Sequence, residues 1–190
     1  MEIVNGERLV LGTCYYPEHW DESLWRDDLR RMLENGIEVI RIAEFAWSKI
    51  ERYEGVFNYD FFDRFLDAAA EMGMKVIFCT PTATPPAWLT EKYPEVLNAT
   101  MDGVLYRHGG RRHYNYNSPK YQELTRIIVE KSASHYAKHP AIIGWQIDNE
   151  INCEKNEFYS ESDTIAFRKF LMEKYLSLIH ISEPTRRSYI

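Results

Sequence analysis

Short apolar runs rich in β-branched residues alternate along this chain with segments whose apolar positions recur at helical spacing. Residues 9–16, Leu-Val-Leu-Gly-Thr-Cys-Tyr-Tyr, end in polar-tipped aromatics and read as a buried strand that Pro17 stops. Asp21 is a helix N-cap. Leu24, Trp25, Leu29, Met32 and Leu33 follow at helical spacing, and Gly36 is the C′ residue. Residues 37–42 form a second strand. A second helix opens at Asp60, with Phe62, Phe65, Leu66 and Ala69 as its apolar stripe and Gly73 as its stop. Residues 75–79 are a third strand, followed by a long loop to Ser118 with a short helix near residues 86–93. Ser118-Pro119 pairs an N-cap with an N1 proline and opens a helix that turns Tyr121, Leu124, Ile128 and Ala133 inward. After His139-Pro140, residues 142–147 are a fourth strand. A final helix from about Asp163 carries Phe167, Phe170 and Leu171.

The predicted order is therefore β-α-β-α-β-α-β-α, an α/β pattern that implies a parallel sheet covered by helices. A doubly wound sheet and a TIM barrel both satisfy it. No Gly-rich phosphate loop follows the first strand, which argues against a dinucleotide-binding fold. Four units are half of a (β/α)8 barrel, which needs about 250 residues. The 190-residue chain is thus either a smaller fold or an incomplete barrel.

Composition narrows the function classes. A formal net charge of −6 gives no basic footprint for nucleic acid. No apolar run is long enough to span a bilayer, and residues 1–7 show no signal-peptide pattern, so neither a membrane nor secretion is expected. Cys14, Cys79 and Cys153 are odd in number and widely spaced, which points to a reducing, cytoplasmic setting.

The chemistry concentrates at one strand tip. The run Ile142-Ile143-Gly144-Trp145-Gln146-Ile147-Asp148 delivers Asn149 and Glu150 side by side to its C-terminal end. In a (β/α) barrel that end carries catalytic residues. A Glu there can serve as general acid/base and an Asn can bind a substrate hydroxyl; a solvated turn carboxylate is the plain alternative.

Five motifs give the chain a family resemblance. They are residues 12–20 (Gly-Thr-Cys-Tyr-Tyr-Pro-Glu-His-Trp), 41–47 (Arg-Ile-Ala-Glu-Phe-Ala-Trp), 80–89 (Thr-Pro-Thr-Ala-Thr-Pro-Pro-Ala-Trp-Leu), 110–114 (Gly-Arg-Arg-His-Tyr) and 144–150 (Gly-Trp-Gln-Ile-Asp-Asn-Glu). In this order and spacing, over roughly residues 8–175, they resemble the N-terminal part of the catalytic domain of glycoside hydrolase family 42 β-galactosidases. The resemblance implies the N-terminal half of a (β/α)8 TIM barrel, with four parallel strands and flanking helices. It also implies a retaining enzyme acting on terminal β-D-galactosides by double displacement. In such enzymes two carboxyl groups lie about 5–5.5 Å apart.

Glu150 matches the family's acid/base, whose pKa must be raised for it to start protonated. Asn149 matches the residue that binds the sugar 2-hydroxyl, and Arg112 the substrate-binding arginine after strand three; read alone, Arg112 would be a loop salt bridge. The family's nucleophile is a Glu ending strand seven, and no residue here matches it, so this chain alone is expected to be inactive. Glu44, at the end of strand two, is expected to be a structural partner of Arg41 or Arg111. Glu18, His19 and Trp20 are expected to shape the rim.

The resemblance further implies a homotrimer for the whole protein and no cofactor. Some members hold a structural zinc through cysteines; Asn115 and the run at residues 158–163 stand where thiolates would be needed, so no zinc is expected. Residues 176–186, Leu-Ser-Leu-Ile-His-Ile-Ser-Glu-Pro-Thr-Arg, resemble the translation of a transposon-type sequencing adapter. Residues 1–175 are accordingly expected to be the partial barrel and 176–190 a non-native read-through tail. Two other readings stay open: a different retaining clan-A β-glycosidase, or a non-catalytic sugar-binding half barrel.

Overall fold

The computed structural model describes residues 3–4, 7–110, 112–151 and 157–182, with backbone alone before Leu9 and after Tyr175. The chain forms two compact units. The first comprises Met1–Leu89 with Thr125–Ile151, and the second Thr90–Leu124 with Asn152–Ile190.

The first unit is built on four parallel strands: β1 (Leu11–Cys14), β2 (Ile37–Ile42), β3 (Lys75–Cys79) and β4 (Ile142–Gln146). Their spatial order is the chain order, as short crossovers between successive strands require. Helices α1 (Trp25–Glu34) and α2 (Asp60–Met72) pack on each other, α1 also on β2 and α2 also on β3. Strand alternation aims Ile40, Ile42, Val76 and Phe78 at this layer, and all four are fully buried. The α2 stripe is buried as its spacing predicts, and Gly73 ends the helix at φ 78°. Trp25 meets Phe65 edge-on at 5.2 Å, and Phe62 meets Phe78 edge-on at 5.7 Å. At Gly12 a Cβ would sit 3.0 Å from the Val39 carbonyl oxygen, so a larger residue there would push β1 and β2 apart by a few tenths of an ångström at this irregular register.

Several expectations need adjustment. Asp21 caps as foreseen, accepting from the Ser23 N–H at 2.9 Å, but it caps a 3-10 turn over Glu22–Leu24, and α1 proper follows. The pattern gave no warning of a hairpin over Glu51–Tyr53 and Val56–Phe57, nor of the N-terminal pair Ile3–Val4 and Glu7–Arg8. The hairpin is held by the buried Glu51 carboxylate, which accepts from Trp47 Nε1 and from the Gly55 N–H, each at 2.8 Å.

Strand β1 was expected to be buried, yet Leu9, Val10 and Leu11 are about half exposed. So is Ile143 on β4, and Ile147 just beyond it is 81% exposed. These residues line the two edges and the open face of the four-stranded sheet, surfaces that a closed barrel would cover.

Two more helices follow. Helix α3 (Ala87–Lys92) lies close to its expected place. Helix α4 (Pro119–Tyr136) starts at the Ser118-Pro119 signal and buries Tyr121, Leu124 and Ile128; below them Ser132 and Tyr136 are buried in place of the expected Ala133.

In the second unit, antiparallel bridges join Leu97 to Tyr114 and Ala99 to Leu105. Helix α5 (Glu161–Ser182) runs on through the first residues of the adapter-like segment. Its expected apolar positions Phe167 and Phe170 are 60% and 48% exposed. Residues 183–190 and Cys153 lie outside the described residues.

Candidate active site

In the first unit, the candidate residues gather at the C-terminal ends of the strands. Beyond β4 the backbone turns sharply. Asp148 (φ 54°) and Glu150 (φ 46°) both occupy the left-handed region, on either side of Asn149. For residues with a Cβ this conformation costs about 1–2 kcal/mol each and persists only where neighbours enforce it.

The enforcing bonds are visible. The Asp148 N–H donates to Thr80 Oγ1 at 2.8 Å, and the Asn149 N–H donates to Asp148 Oδ1 at 2.6 Å. Gln146 Nε2 donates to the Asp148 carbonyl at 2.9 Å and to Asn149 Oδ1 at 3.2 Å. The Thr80 N–H donates to the Gln146 carbonyl at 2.9 Å, extending the β3–β4 ladder to the turn. Asn149 is buried and Glu150 exposed.

A second network joins the tips of β1, β2 and β4. Arg41 Nη1 donates to Gln146 Oε1 at 2.8 Å, and Nη2 donates to Glu44 Oε1 at 2.7 Å. Nη2 also lies 3.1 Å from Cys14 Sγ, and the Tyr16 hydroxyl donates to Glu44 Oε1 at 2.9 Å. Glu44 is fully buried, and Ala43 before it holds φ 76°. Glu44 is thus the ion-pair partner of Arg41 expected from its position; Arg111, the other candidate partner, lies outside the described residues. Burial, with the adjoining Glu44 carboxylate, pushes the Tyr16 hydroxyl and the Cys79 thiol each up to about 12. Both therefore stay protonated, Tyr16 as a hydrogen-bond donor.

At the rim, the Pro17 carbonyl accepts from Trp25 Nε1 at 3.2 Å, and Tyr16 stacks on His19 at 5.3 Å. Both Glu18 carboxylate oxygens are sealed from solvent with no hydrogen-bond partner among the described residues, and burial raises the group's pKa. Trp20 is exposed.

Arg112 belongs to the second unit. It is buried, with φ 55°, and its Nη1 donates to the hydroxyls of Tyr114, at 3.1 Å, and Tyr116. Tyrosine hydroxyls are thus among its partners. In the region compared above with a zinc site, Asn115, Asn117, Ser160 and Asp163 share a hydrogen-bond network. Asp163 accepts from Asn115 Nδ2, from Asn117 Nδ2 at 2.7 Å, and from the Ser160 N–H at 3.0 Å and Oγ at 2.9 Å. Among the described residues no three His, Cys, Asp or Glu side chains converge as a metal set.

Of the sequence-derived site residues, Asn149 and Glu150 stand together in one turn, and Arg112 stands in the other unit. The linking roles of Arg41 and Gln146 were not foreseen. Their signal was a long polar side chain in a mostly apolar strand, Arg41 beside Glu38 in β2 and Gln146 in β4. The four non-glycine residues with positive φ among the described residues, Ala43, Arg112, Asp148 and Glu150, all fall inside the quoted motifs. Strain of this kind gathers at functional sites.

A parallel sheet whose strand tips gather a carboxylate, an amide and an arginine network is the arrangement of a (β/α)-barrel enzyme. The family model described as β-galactosidase, glycoside hydrolase family 42, matches residues 14–185, and the chain belongs to that family. Among curated relatives, a β-galactosidase of Thermus thermophilus is 42% identical over 175 residues, covering 92% of this chain and 27% of the relative. One of Halorubrum lacusprofundi is 39% identical over 174 residues, covering 91% and 25%. Among solved structures, the β-galactosidase of the psychrophilic Marinomonas ef1 superimposes with a TM-score of 0.85 at 43% identity, covering 88% of this chain and 26% of that one. The chain spans about a quarter of the length of the curated relatives it matches, and its four strands with their helices are the N-terminal half of a TIM barrel. No helix among the described residues is long and apolar enough to cross a membrane.

Proposed function

We propose that this chain is part of a retaining β-galactosidase and supplies its acid/base, Glu150. Asn149 binds the sugar 2-hydroxyl and Arg112 holds the substrate. The nucleophile is contributed by polypeptide that this chain does not contain. The observation that carries this reading is the strained Asp148-Asn149-Glu150 turn at the tip of β4, fixed by Thr80 and Gln146, in a chain of this family.

The chemistry follows from the residue types. In the first step Glu150 gives its proton to the glycosidic oxygen while the nucleophile's carboxylate forms a bond to the anomeric carbon and the aglycone leaves. In the second step Glu150, now ionised, takes a proton from water, whose oxygen displaces the carboxylate. The contact from Asn149 to the 2-hydroxyl strengthens as positive charge develops on the ring. Glycerol-free nitrophenyl glycosides test the substrate class. The complete enzyme is expected to prefer the β-galactoside over β-mannoside and β-glucoside, and residues 1–190 alone to turn over none, because loss of the nucleophile costs many powers of ten. Preference for another glycoside would assign a different clan-A specificity, and turnover by the chain alone would overturn the missing-nucleophile reading.

A further inference from the structure

Within the second unit, His113 is wired to the backbone on both sides of Arg112. Its ring Nδ1 lies 2.6 Å from the Gly110 carbonyl oxygen. A carbonyl only accepts, so Nδ1 carries the proton. The His113 carbonyl accepts from the Asn98 N–H at 2.8 Å, and the next residue, Tyr114, bridges to Leu97. The ring is almost fully buried and stands edge-on to His108, 4.9 Å away, and to Tyr114, 5.6 Å away. His108 is in turn held through its Nδ1, 2.9 Å from Thr90 Oγ1. His113 Nε2 has no hydrogen-bond partner among the described residues.

Between the two anchored points sits Arg112, at φ 55°. A non-glycine residue keeps that conformation only where its surroundings impose it. The His113 ring imposes it from the C-terminal side by tying the loop back to Gly110.

We infer that His113 is a positioning residue for Arg112: its Nδ1–H bond to the Gly110 carbonyl holds the arginine in the left-handed conformation that aims its guanidinium at the tyrosine hydroxyls and the substrate. The part concerning substrate rests on the function proposed above; the part concerning Arg112 geometry does not. Burial lowers the ring's pKa, with the neighbouring His108 acting in the same direction and the Gly110 acceptor opposing. A neutral ring suffices for the role, because only Nδ1–H is used. Among the described residues the groups facing the ring are His108, Tyr114 and the Gly110 carbonyl.

The test uses the complete enzyme. His113→Asn places an amide N–H near the Nδ1 position, whereas His113→Gln places it near Nε2 and His113→Phe has no donor. Crystal structures report the φ of Arg112, and kinetics report kcat/KM. His113→Phe is expected to relax Arg112 to negative φ and to lower kcat/KM about 10- to 100-fold, chiefly through KM, since misplacement by about 1 Å costs up to roughly that much. His113→Asn should keep positive φ and stay within about threefold of the parent, which a merely space-filling histidine would not predict. In an Arg112→Ala background, His113→Phe should add almost nothing, because two residues acting through one contact are non-additive.

If the Phe variant does not fold, the Asn and Gln pair decides: Asn retained and Gln impaired supports the assignment. Equal behaviour of Asn and Gln, an unchanged Arg112 in the Phe variant, or a full additive loss in the Arg112→Ala background overturns it. A parent enzyme with no galactosidase activity but with Arg112 relaxing on His113→Phe would sink the proposed function and leave the positioning role standing.

Discussion

Arg41 reaches across the sheet to Gln146, 105 residues later in the chain, and donates to its Oε1 at 2.8 Å. Gln146 turns its other amide atom to Asn149 Oδ1. The orientation of Asn149 therefore depends on β2 as well as β4. An amide side chain beside a carbonyl could otherwise flip; here the guanidinium can only donate, so it fixes which end of the Gln146 amide faces which neighbour.

This link predicts that Gln146→Leu in the complete enzyme lowers kcat/KM for β-galactosides by about 10- to 100-fold, the size of loss typical of a misplaced binding group. The same substitution should matter far less for a 2-deoxygalactoside, which lacks the hydroxyl assigned to Asn149. Parallel kinetics on the two substrates check this; equal losses would remove Gln146 from the argument.

Glu18 predicts a pH-dependent change in stability. Burial raises its pKa in the folded state. A raised acid binds its proton more tightly when folded, so its contribution is fully favourable below the ordinary value of 4.5 and is lost as pH rises through the folded value. At neutral pH the fold carries a desolvated carboxylate whose oxygens have no hydrogen-bond partner among the described residues. Glu18→Gln should raise the melting temperature of the complete enzyme near pH 7 and leave it unchanged near pH 4. The gain comes from removing the charge alone, since the variant's amide meets the same surroundings. Calorimetry at the two pH values checks the sign; destabilisation at pH 7 would contradict it.

Asp163 gathers donors from Asn115, Asn117 and Ser160 in the second unit. Asp163→Ala strands the donors of Asn115, Asn117 and Ser160 in a buried site. It should destabilise by at least about 1–3 kcal/mol, the cost of one unsatisfied buried donor. A chelator should leave the melting temperature of the parent protein where it was. A chelator-sensitive melt would show that a metal contributes to this part of the fold.

The open sheet predicts the behaviour of residues 1–190 on their own. Each exposed Val, Leu or Ile forfeits about 1.5–3 kcal/mol of burial, and Leu9, Val10, Leu11, Ile143 and Ile147 are all at least 46% exposed. Unpaired strand edges add a route to self-association. Size-exclusion chromatography should find oligomers or insoluble protein. A monodisperse monomer with a sharp melt would favour the non-catalytic half barrel.

The parallel sheet and the α2 stripe were legible because strand runs and helical spacing carry the period of the structure itself. Gly36 and Gly73 could be read as helix stops because a left-handed C′ position favours glycine. The Glu51–Gly55 hairpin was hidden, since two- and three-residue strands are too short to display a period and their clamp is a buried carboxylate. The exposure of β1 was hidden for another reason: its sequence is apolar as a barrel strand must be, and the neighbours that would bury it are absent. Asn149 and Glu150 were visible through their motif. The strain at Glu150 was not, because it is none of the residues that usually adopt a left-handed turn, and an aspartate such as Asp148 does so only occasionally.

The claim that Glu150 is the acid/base of a retaining enzyme is tested most directly by Glu150→Gln in the complete protein. The variant should lose about 100- to 10,000-fold on galactosides with poor leaving groups and much less on those with good ones, because only the former need a proton in the first step. Added azide should then displace the nucleophile's carboxylate from the galactosyl-enzyme and restore turnover, and the product should be β-galactosyl azide, with net retention. Formation of the α-azide would make Glu150 the nucleophile, and equal losses on all substrates with no azide product would place the acid/base elsewhere.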